Sequence, residues 1–202
     1  MITRLRIPLL LGLCVAAAGQ ADVRQRVNKQ DADRFESKLV RIVEFGNAPR
    51  SRAASSLTTP VSDVEVTSYL RYNAKDQVPV GIVEPTLNAL GDGRVSGRAI
   101  VDLDAVRKQK QRGWLDPLGY LTGSLPLTAS GTLTTRDGVG QFHLEAAEIA
   151  GVTIPKVVLQ ELLTYYSRTP ENPNGINMDD PFELPARIRE IRVKRGEAVV
   201  IQ

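Results

Sequence analysis

The segment SLPLTASGTLTTRDGVGQFHLEAAEIAGVTIPKVVLQELLTYY, Ser124–Tyr166, decides the fold of this chain. From residue 125 to residue 133, leucine, alanine and glycine at odd positions alternate with proline, serine and threonine at even positions. This period of two predicts a strand with one buried face. Asp137-Gly138 follows as a tight turn, because glycine adopts positive φ without strain. The segment therefore begins with one arm of a β-hairpin.

The rest of the segment is predicted to return as a strand and then to form a helix. On the returning strand, one face is expected to carry Gly140, Phe142, Leu144 and Ala146. Pro155 then introduces the helix, since a proline at the first helical position loses no helical hydrogen bond. Its apolar residues recur at helical spacing: Val158, Leu159, Leu162, Leu163 and Tyr166. The whole segment thus predicts a strand–turn–strand–helix unit.

Two further hairpins are predicted on either side of this unit. Residues 82–90 and 94–104 flank the turn Gly91-Asp92-Gly93, and residues 187–194 and 198–201 flank Arg195-Gly196. Such patterns are typical of an α+β fold, in which an antiparallel meander sheet of long hairpins packs on one or two helices.

Two helices are expected before the first hairpin. Residues 23–45 are charged and free of glycine and proline, and an apolar stripe runs along their second half: Phe35, Leu39, Ile42 and Val43. Ser62 and Glu65 have the spacing of a capping box, which begins a short helix. The inward face of that helix is predicted to carry Val66, Tyr69, Leu70 and Asn73.

The first residues resemble a secretory signal. Arg4 and Arg6 precede an apolar run over residues 7–18, and Gly19-Gln20-Ala21 offers small residues for cleavage. We expect a cleaved signal peptide at 1–21, an N-terminal helix and linker at 22–60, and the main domain at 61–202. The mature protein would then be periplasmic or secreted.

Composition excludes several classes of function. Cys14 is the single cysteine and lies in the predicted signal, so the mature chain would form no disulfide. Removing residues 1–21 lowers Lys+Arg from 26 to 24 against 23 acids, a net charge near +1. Nucleic-acid binding requires a concentrated basic surface, and we expect none.

The sequence lacks an arrangement of residues typical of catalysis. His143 is the single histidine and is predicted to lie on the polar face of its strand. Asp102 and Asp104 share a strand face but have no companions at the spacing of metal ligands. We therefore predict no catalytic residue, no metal site and no cofactor, and a protein that is not an enzyme.

The segment 105–123 combines cations with apolar side chains. Its prominent residues are Arg107, Lys108, Lys110, Arg112 and Trp114. One interpretation is peripheral contact with an anionic membrane, where such cations meet headgroups and tryptophan lies at the boundary. The other is a solvated helical turn followed by a loop that closes one end of the fold. The second is favoured, because these residues are common on ordinary surfaces.

Several motifs resemble secreted bacterial lipid-binding proteins of the LmeA type, which are similar to the tubular lipid-binding (TULIP) group. They are Leu125–Thr128 leading to Asp137-Gly138, the kink at Gly151–Pro155, and Leu184-Pro185 before the last hairpin. The resemblance covers mainly residues 61–202. It implies a curved antiparallel sheet that wraps a helix around a lipid-holding groove. The basic residues 107–112 and the long helix before Gly46 depart from that pattern.

The leading hypothesis is an exported lipid-binding or lipid-transfer protein that holds an apolar ligand between sheet and helix. The candidate wall residues are Val95, Val101, Leu127, Leu133, Phe142, Leu144, Leu159, Leu162, Leu163 and Tyr166, with Trp114 near the mouth. The alternative is a non-enzymatic cell-envelope interaction module with a filled core, because cavity walls and cores use the same residue types.

Overall fold

The computed structural model describes residues 27–49, 56–109, 122–168 and 172–202, with the backbone alone at Arg107, Gln109, Leu162 and Tyr166. Its helices are α1 Lys29–Asn47, α2 Asp63–Tyr72, α3 Leu103–Gln109 and α4 Lys156–Ser167. Its strands are β1 Thr58–Ser62, β2 Ile82–Gly91, β3 Arg94–Asp102, β4 Ser124–Arg136, β5 Val139–Ile149, β6 Val152–Thr153, β7 Phe182–Glu183, β8 Glu190–Lys194 and β9 Glu197–Ile201.

The predicted α+β class and its antiparallel hairpins are confirmed. A six-stranded sheet has the order β2-β3-β4-β5-β6, with β7 also paired to β5, and it does not close on itself. A smaller sheet has the order β1-β9-β8. Asp137 and Gly138 turn the long hairpin with φ of 51° and 86°, the left-handed region that a tight two-residue turn requires.

The predicted face of Ala146 is wrong, because β5 contains a β-bulge. Gly131 pairs with Leu144, whereas the preceding Ser130 pairs with Ala146, so that Glu145 is an extra residue on β5. The extra residue reverses the alternation. Ala147 is therefore buried on the apolar face, while Ala146 is exposed on the polar face.

The second hairpin also ends earlier than expected. Its returning strand was predicted to reach Asp104, but β3 stops at Asp102. The Asp102 carboxylate accepts the backbone N–H groups of Asp104 and Ala105, both at 3.0 Å, and so caps the start of α3. Leu103 is buried at this junction.

Helix α2 begins at the predicted capping box but buries a different face. Ser62 and Glu65 form the box, with each side chain bonded to the other residue's backbone N–H. The buried residues of α2 are Glu65, Thr67 and Ser68, whereas the expected inward residues are only half-buried. The prediction that this apolar face of α2 is the buried one is therefore wrong. The contacts of α2 with β2 explain the difference.

Helix α2 runs along the edge of β2 and binds its backbone. The Thr67 hydroxyl accepts the N–H of Leu87 at 3.0 Å and donates to the carbonyl of Leu87 at 3.2 Å. One turn before Thr67, Asp63 accepts the N–H of Ala89 at 3.3 Å. One turn after it, Arg71 donates to the carbonyl of Pro85 at 3.0 Å. Three polar side chains at i, i+4 and i+8 thus replace the missing neighbour strand.

The buried core lies where α1, α2 and the small sheet meet. Its larger apolar members are Ile42, Val61, Ile188 and Val193. The stripe of α1 differs from the prediction at Val43, which is 48% exposed, whereas Ile42 is 4% exposed. Helices α1 and α2 contact each other, with the rings of Phe35 and Tyr69 edge to face at 5.1 Å.

A buried ion pair fixes this corner. The Glu65 carboxylate, 5% exposed, accepts both the backbone N–H of Ser62 and the ammonium group of Lys38, the latter at 2.7 Å. Lys38 also donates to the carbonyl of Pro60 at 2.7 Å. Because the carboxylate keeps several donors, its burial is compensated. The pair ties α1 to β1 and to the first turn of α2.

A second threonine joins the two sheets. The Thr135 hydroxyl on β4 accepts the N–H of Ile191 at 2.8 Å and donates to the carbonyl of Ile191 at 3.1 Å. It thus binds the edge of β8 in the same way that Thr67 binds the edge of β2. The small sheet is held at the turn end of the long hairpins.

Replacing Thr67 with valine tests the edge contact of α2. Valine keeps the volume of the side chain but leaves the N–H and C=O of Leu87 without their partner in a buried place. We expect a loss of about 2 kcal/mol in the free energy of unfolding, measured with urea. The matched control is Thr134→Val on the exposed face of β4, which should change stability by less than about 0.5 kcal/mol. Equal stabilities of the two variants would contradict the contact.

Candidate functional site

The strand pairing brings most of the predicted wall residues onto one face of the long sheet. Val95 and Val101 of β3 lie opposite Gly131 and Leu125 of β4, and Leu133 lies opposite Phe142 of β5. The predicted wall residues that share this face are Val95, Val101, Leu127, Leu133, Phe142 and Leu144. The face also includes apolar residues that were not predicted as walls: Ile82, Leu87, Ala89, Ala99, Leu125, Ala129, Ala147 and Ile149.

Two of these omissions follow from the bulge on β5. Strict alternation after Leu144 assigns Ala147 and Ile149 to the polar face, whereas the extra residue Glu145 returns them to the apolar face. The spacing of two glutamates in the sequence indicates the bulge. Glu145 and Glu148 are three positions apart, so strict alternation cannot place both on one polar face.

This apolar face is incompletely buried. Among the described residues that share it, only the small side chains of Ala89 and Ala147 fall in the buried class, at 6% and 3% exposure. The leucines of β4, together with Phe142 and Leu144 of β5, are only half-buried. Large apolar side chains are usually the most buried in a domain. The described parts of the chain therefore leave this apolar face incompletely covered.

The helices lie mainly at the edges of the sheet. Helix α2 contacts β2, and α4 contacts β5, which are nearly the opposite ends of the strand order. Helix α3 contacts β4. Among the described residues, α2 and α4 thus contact strands near the two sides of the sheet and border its apolar face.

Helix α4 carries the remaining predicted wall residues. Leu159 and Leu163 are half-buried, while the side chains of Leu162 and Tyr166 lie outside the description. Val157 is 69% exposed, so α4 also shows apolar surface to solvent. The wall assignments as a set stay a prediction.

The loop after α4 holds this helix in place. Lys156 pairs with Asp179 at 2.5 Å, and the carbonyl of Asp179 accepts Gln141 of β5 at 3.1 Å. Gln160 accepts the N–H of Met178 at 2.8 Å. Pro155, expected at the first helical position, stands just before it as the N-cap, with φ of −58°. Helix and loop together form one border of the apolar face.

Two phenylalanines lie over glycines of the long sheet. A Cβ built on Gly131 would overlap the ring of Phe142 and the carbonyl of His143. A Cβ on Gly140 would lie 2.7 Å from the ring of Phe182. Each ring therefore occupies space that a side chain would need, and Gly131 sets the position of Phe142 on the apolar face.

The predicted membrane-contact residues fall largely outside this description. Lys108 is exposed on α3, and Arg107 is described by its backbone alone. Lys110, Arg112 and Trp114 lie outside the described residues. No helix in the described ranges is long and apolar enough to cross a membrane.

Titratable groups do not gather into a metal cluster within the described parts of the chain. His143 is exposed and pairs with Thr132, on the face opposite Phe142.

Two pockets lie away from the predicted wall residues. A groove of about 260 Å³ follows the polar face beside Ser96 and Ser130. A pocket of about 370 Å³ lies at the end of the long hairpin beside Arg136.

Replacing Gly131 with alanine tests the position of Phe142. The added methyl group would displace the ring and press on the carbonyl of His143, so we expect a loss of about 2 kcal/mol in unfolding free energy. The control is Gly97→Ala on the adjacent strand, where the nearest atom to the new Cβ is the carbonyl oxygen of Thr86 at 3.7 Å. Thermal unfolding of both variants measures the difference. A Gly131 variant as stable as the Gly97 variant would show that the ring lies elsewhere.

The chain matches no protein-family model and no curated protein. A search of solved structures finds a lipopolysaccharide binding protein with 12% sequence identity and a TM-score of 0.23. The match covers 77% of this chain and 45% of that protein, so the chain spans less than half of its length.

Proposed function

We propose that this protein binds the acyl chain of a lipid on the apolar face of the long sheet, between the borders formed by α2 and α4. One observation carries the proposal: the large side chains of this face are only half-buried, although a separate core of aliphatic side chains is buried. A contiguous apolar surface that is incompletely buried is typical of a binding site.

The length of the face suits an extended chain. From Leu125 to Leu133 on β4, a rise of 3.4 Å per residue gives about 27 Å of apolar surface. Each methylene group that leaves water contributes about 0.8 kcal/mol, so a long acyl chain would gain enough to offset the entropy lost on binding. Leu127 lies on β4, the central strand of the order, between Ala99 on β3 and Ile149 on β5.

The same proposal includes where the protein acts and what role it has there. The signal-like residues 1–21 support export to the periplasm or the cell surface, where a lipid carrier would meet its ligand. We propose a binding or transfer role rather than catalysis. Peripheral contact with an anionic membrane would bring the carrier to its lipid source.

Substitutions on the two faces of β4 test the proposal. Leu127→Gln places an amide on the apolar face of the central strand β4, and Thr128→Gln places the same amide on the opposite face. Titration with a dansyl-labelled fatty acid measures affinity. We expect saturable binding by the wild-type protein, at least tenfold weaker binding by Leu127→Gln, and unchanged binding by Thr128→Gln.

Urea unfolding of the same two variants separates binding from folding. Because Leu127 is only half-buried, its substitution should cost less stability than truncating the buried Val193 to alanine. The proposal fails if the wild-type protein binds no labelled fatty acid. It also fails if both glutamine variants lose affinity equally.

A further inference from the structure

A second candidate site lies at the turn end of the long hairpin, away from the apolar face. It is a pocket of about 370 Å³ where the β4–β5 turn meets the small sheet. Its lining residues are Thr135, Arg136, Asp137, Arg189, Glu190, Arg192 and Ile201. None of the predicted wall residues belongs to it. Three of its seven lining residues are arginines, an unusual concentration of one charge in a small volume.

Within the described ranges, Arg192 is the one arginine of the three that forms a hydrogen bond with an acidic side chain. Arg192 donates to both carboxylate oxygens of Glu190, at 2.7 and 2.8 Å. This hydrogen bonding lowers the pKa of Glu190, and the nearby charges of Arg136 and Arg189 contribute in the same direction. Glu190 therefore stays ionised, and it forms a bidentate pair with Arg192 alone.

The other two arginines keep unused donors. Arg189 donates to the main-chain oxygen of Gln202, the last residue of the sequence, at 3.0 Å, and this contact fixes its position. The Arg136 guanidinium group makes no hydrogen bond or ion pair with any residue in the described ranges, although it lies close enough to influence Glu190. Asp137, exposed in the turn, is the remaining acid of the pocket. Among the lining side chains, three arginines thus outnumber two acids.

We propose that this pocket binds a phosphate monoester, with Arg136 and Arg189 as its principal ligands. Guanidinium groups present paired N–H donors that match the oxygens of a phosphate, and such charge-assisted hydrogen bonds are among the strongest in proteins. Arg136 is held at the end of β4 by the turn and by the bond between Thr135 and Ile191, so it needs no rearrangement to reach the pocket. The phosphate belongs either to a soluble molecule or to a lipid headgroup.

Inorganic phosphate tests the site without any apolar component. Titration followed by NMR of the backbone amides should shift Asp137 and Glu190 in the wild-type protein. Arg136→Gln should weaken binding at least tenfold without loss of stability, because the Arg136 side chain bonds to no described residue. The matched control is Arg94→Gln, an exposed arginine beside the turn of the neighbouring hairpin. Its affinity for phosphate should equal that of the wild-type protein.

Vesicle flotation distinguishes the two sources of phosphate. Vesicles containing phosphatidic acid are compared with vesicles of phosphatidylcholine alone. Flotation that requires phosphatidic acid and is lost in Arg136→Gln supports a headgroup ligand. Phosphate binding that depends on Arg136, without such flotation, supports a soluble ligand.

The proposal is overturned if phosphate shifts neither amide, or if Arg94→Gln weakens binding as much as Arg136→Gln. Neither result bears on fatty-acid binding by the apolar face, since inorganic phosphate contains no apolar group. Failure of the fatty-acid titration would likewise not contradict the proposed phosphate site.

Discussion

The open edge of β2 is the constraint on which the rest of this structure depends. An edge strand exposes unpaired N–H and C=O groups, which must be satisfied or shielded. Here Asp63, Thr67 and Arg71, one turn apart on α2, bind the backbone of β2. Helix α2 therefore buries polar residues against an edge instead of an apolar stripe against a face. The ion pair between Lys38 and Glu65 then fixes α1 onto the same helix.

This use of α2 explains why an apolar face stays accessible. A helix placed at the edge of a sheet cannot also cover the middle of that sheet, and α4 lies beside β5 near the other side. The face between them carries leucines that are only half-buried, whereas valine and isoleucine fill a separate core beside the small sheet. The buried core and the proposed binding face thus lie in different parts of the structure. The apolar face can vary its contacts without dismantling the core.

Local features of the sequence predicted much of the fold. Turns such as Asp137-Gly138 were predictable because positive φ is a property of single residues. The capping box of α2 was predictable because it spans only four residues. Features that depend on residues distant in the sequence were not predictable in this way. The burial of Thr67 depends on Leu87, twenty positions away, and the end of β3 depends on the capping role of Asp102. The bulge at Glu145 reversed the faces of later residues, a shift that alternation alone does not reveal.

Native mass spectrometry after incubation with liposomes tests the central claim most directly. The purified protein is mixed with liposomes, separated from them and measured under non-denaturing conditions. Binding of an acyl chain on the exposed apolar face predicts a peak heavier than the protein by the mass of a lipid, which disappears when the protein is denatured. A spectrum that shows only the lipid-free mass, at every liposome concentration, would contradict the account.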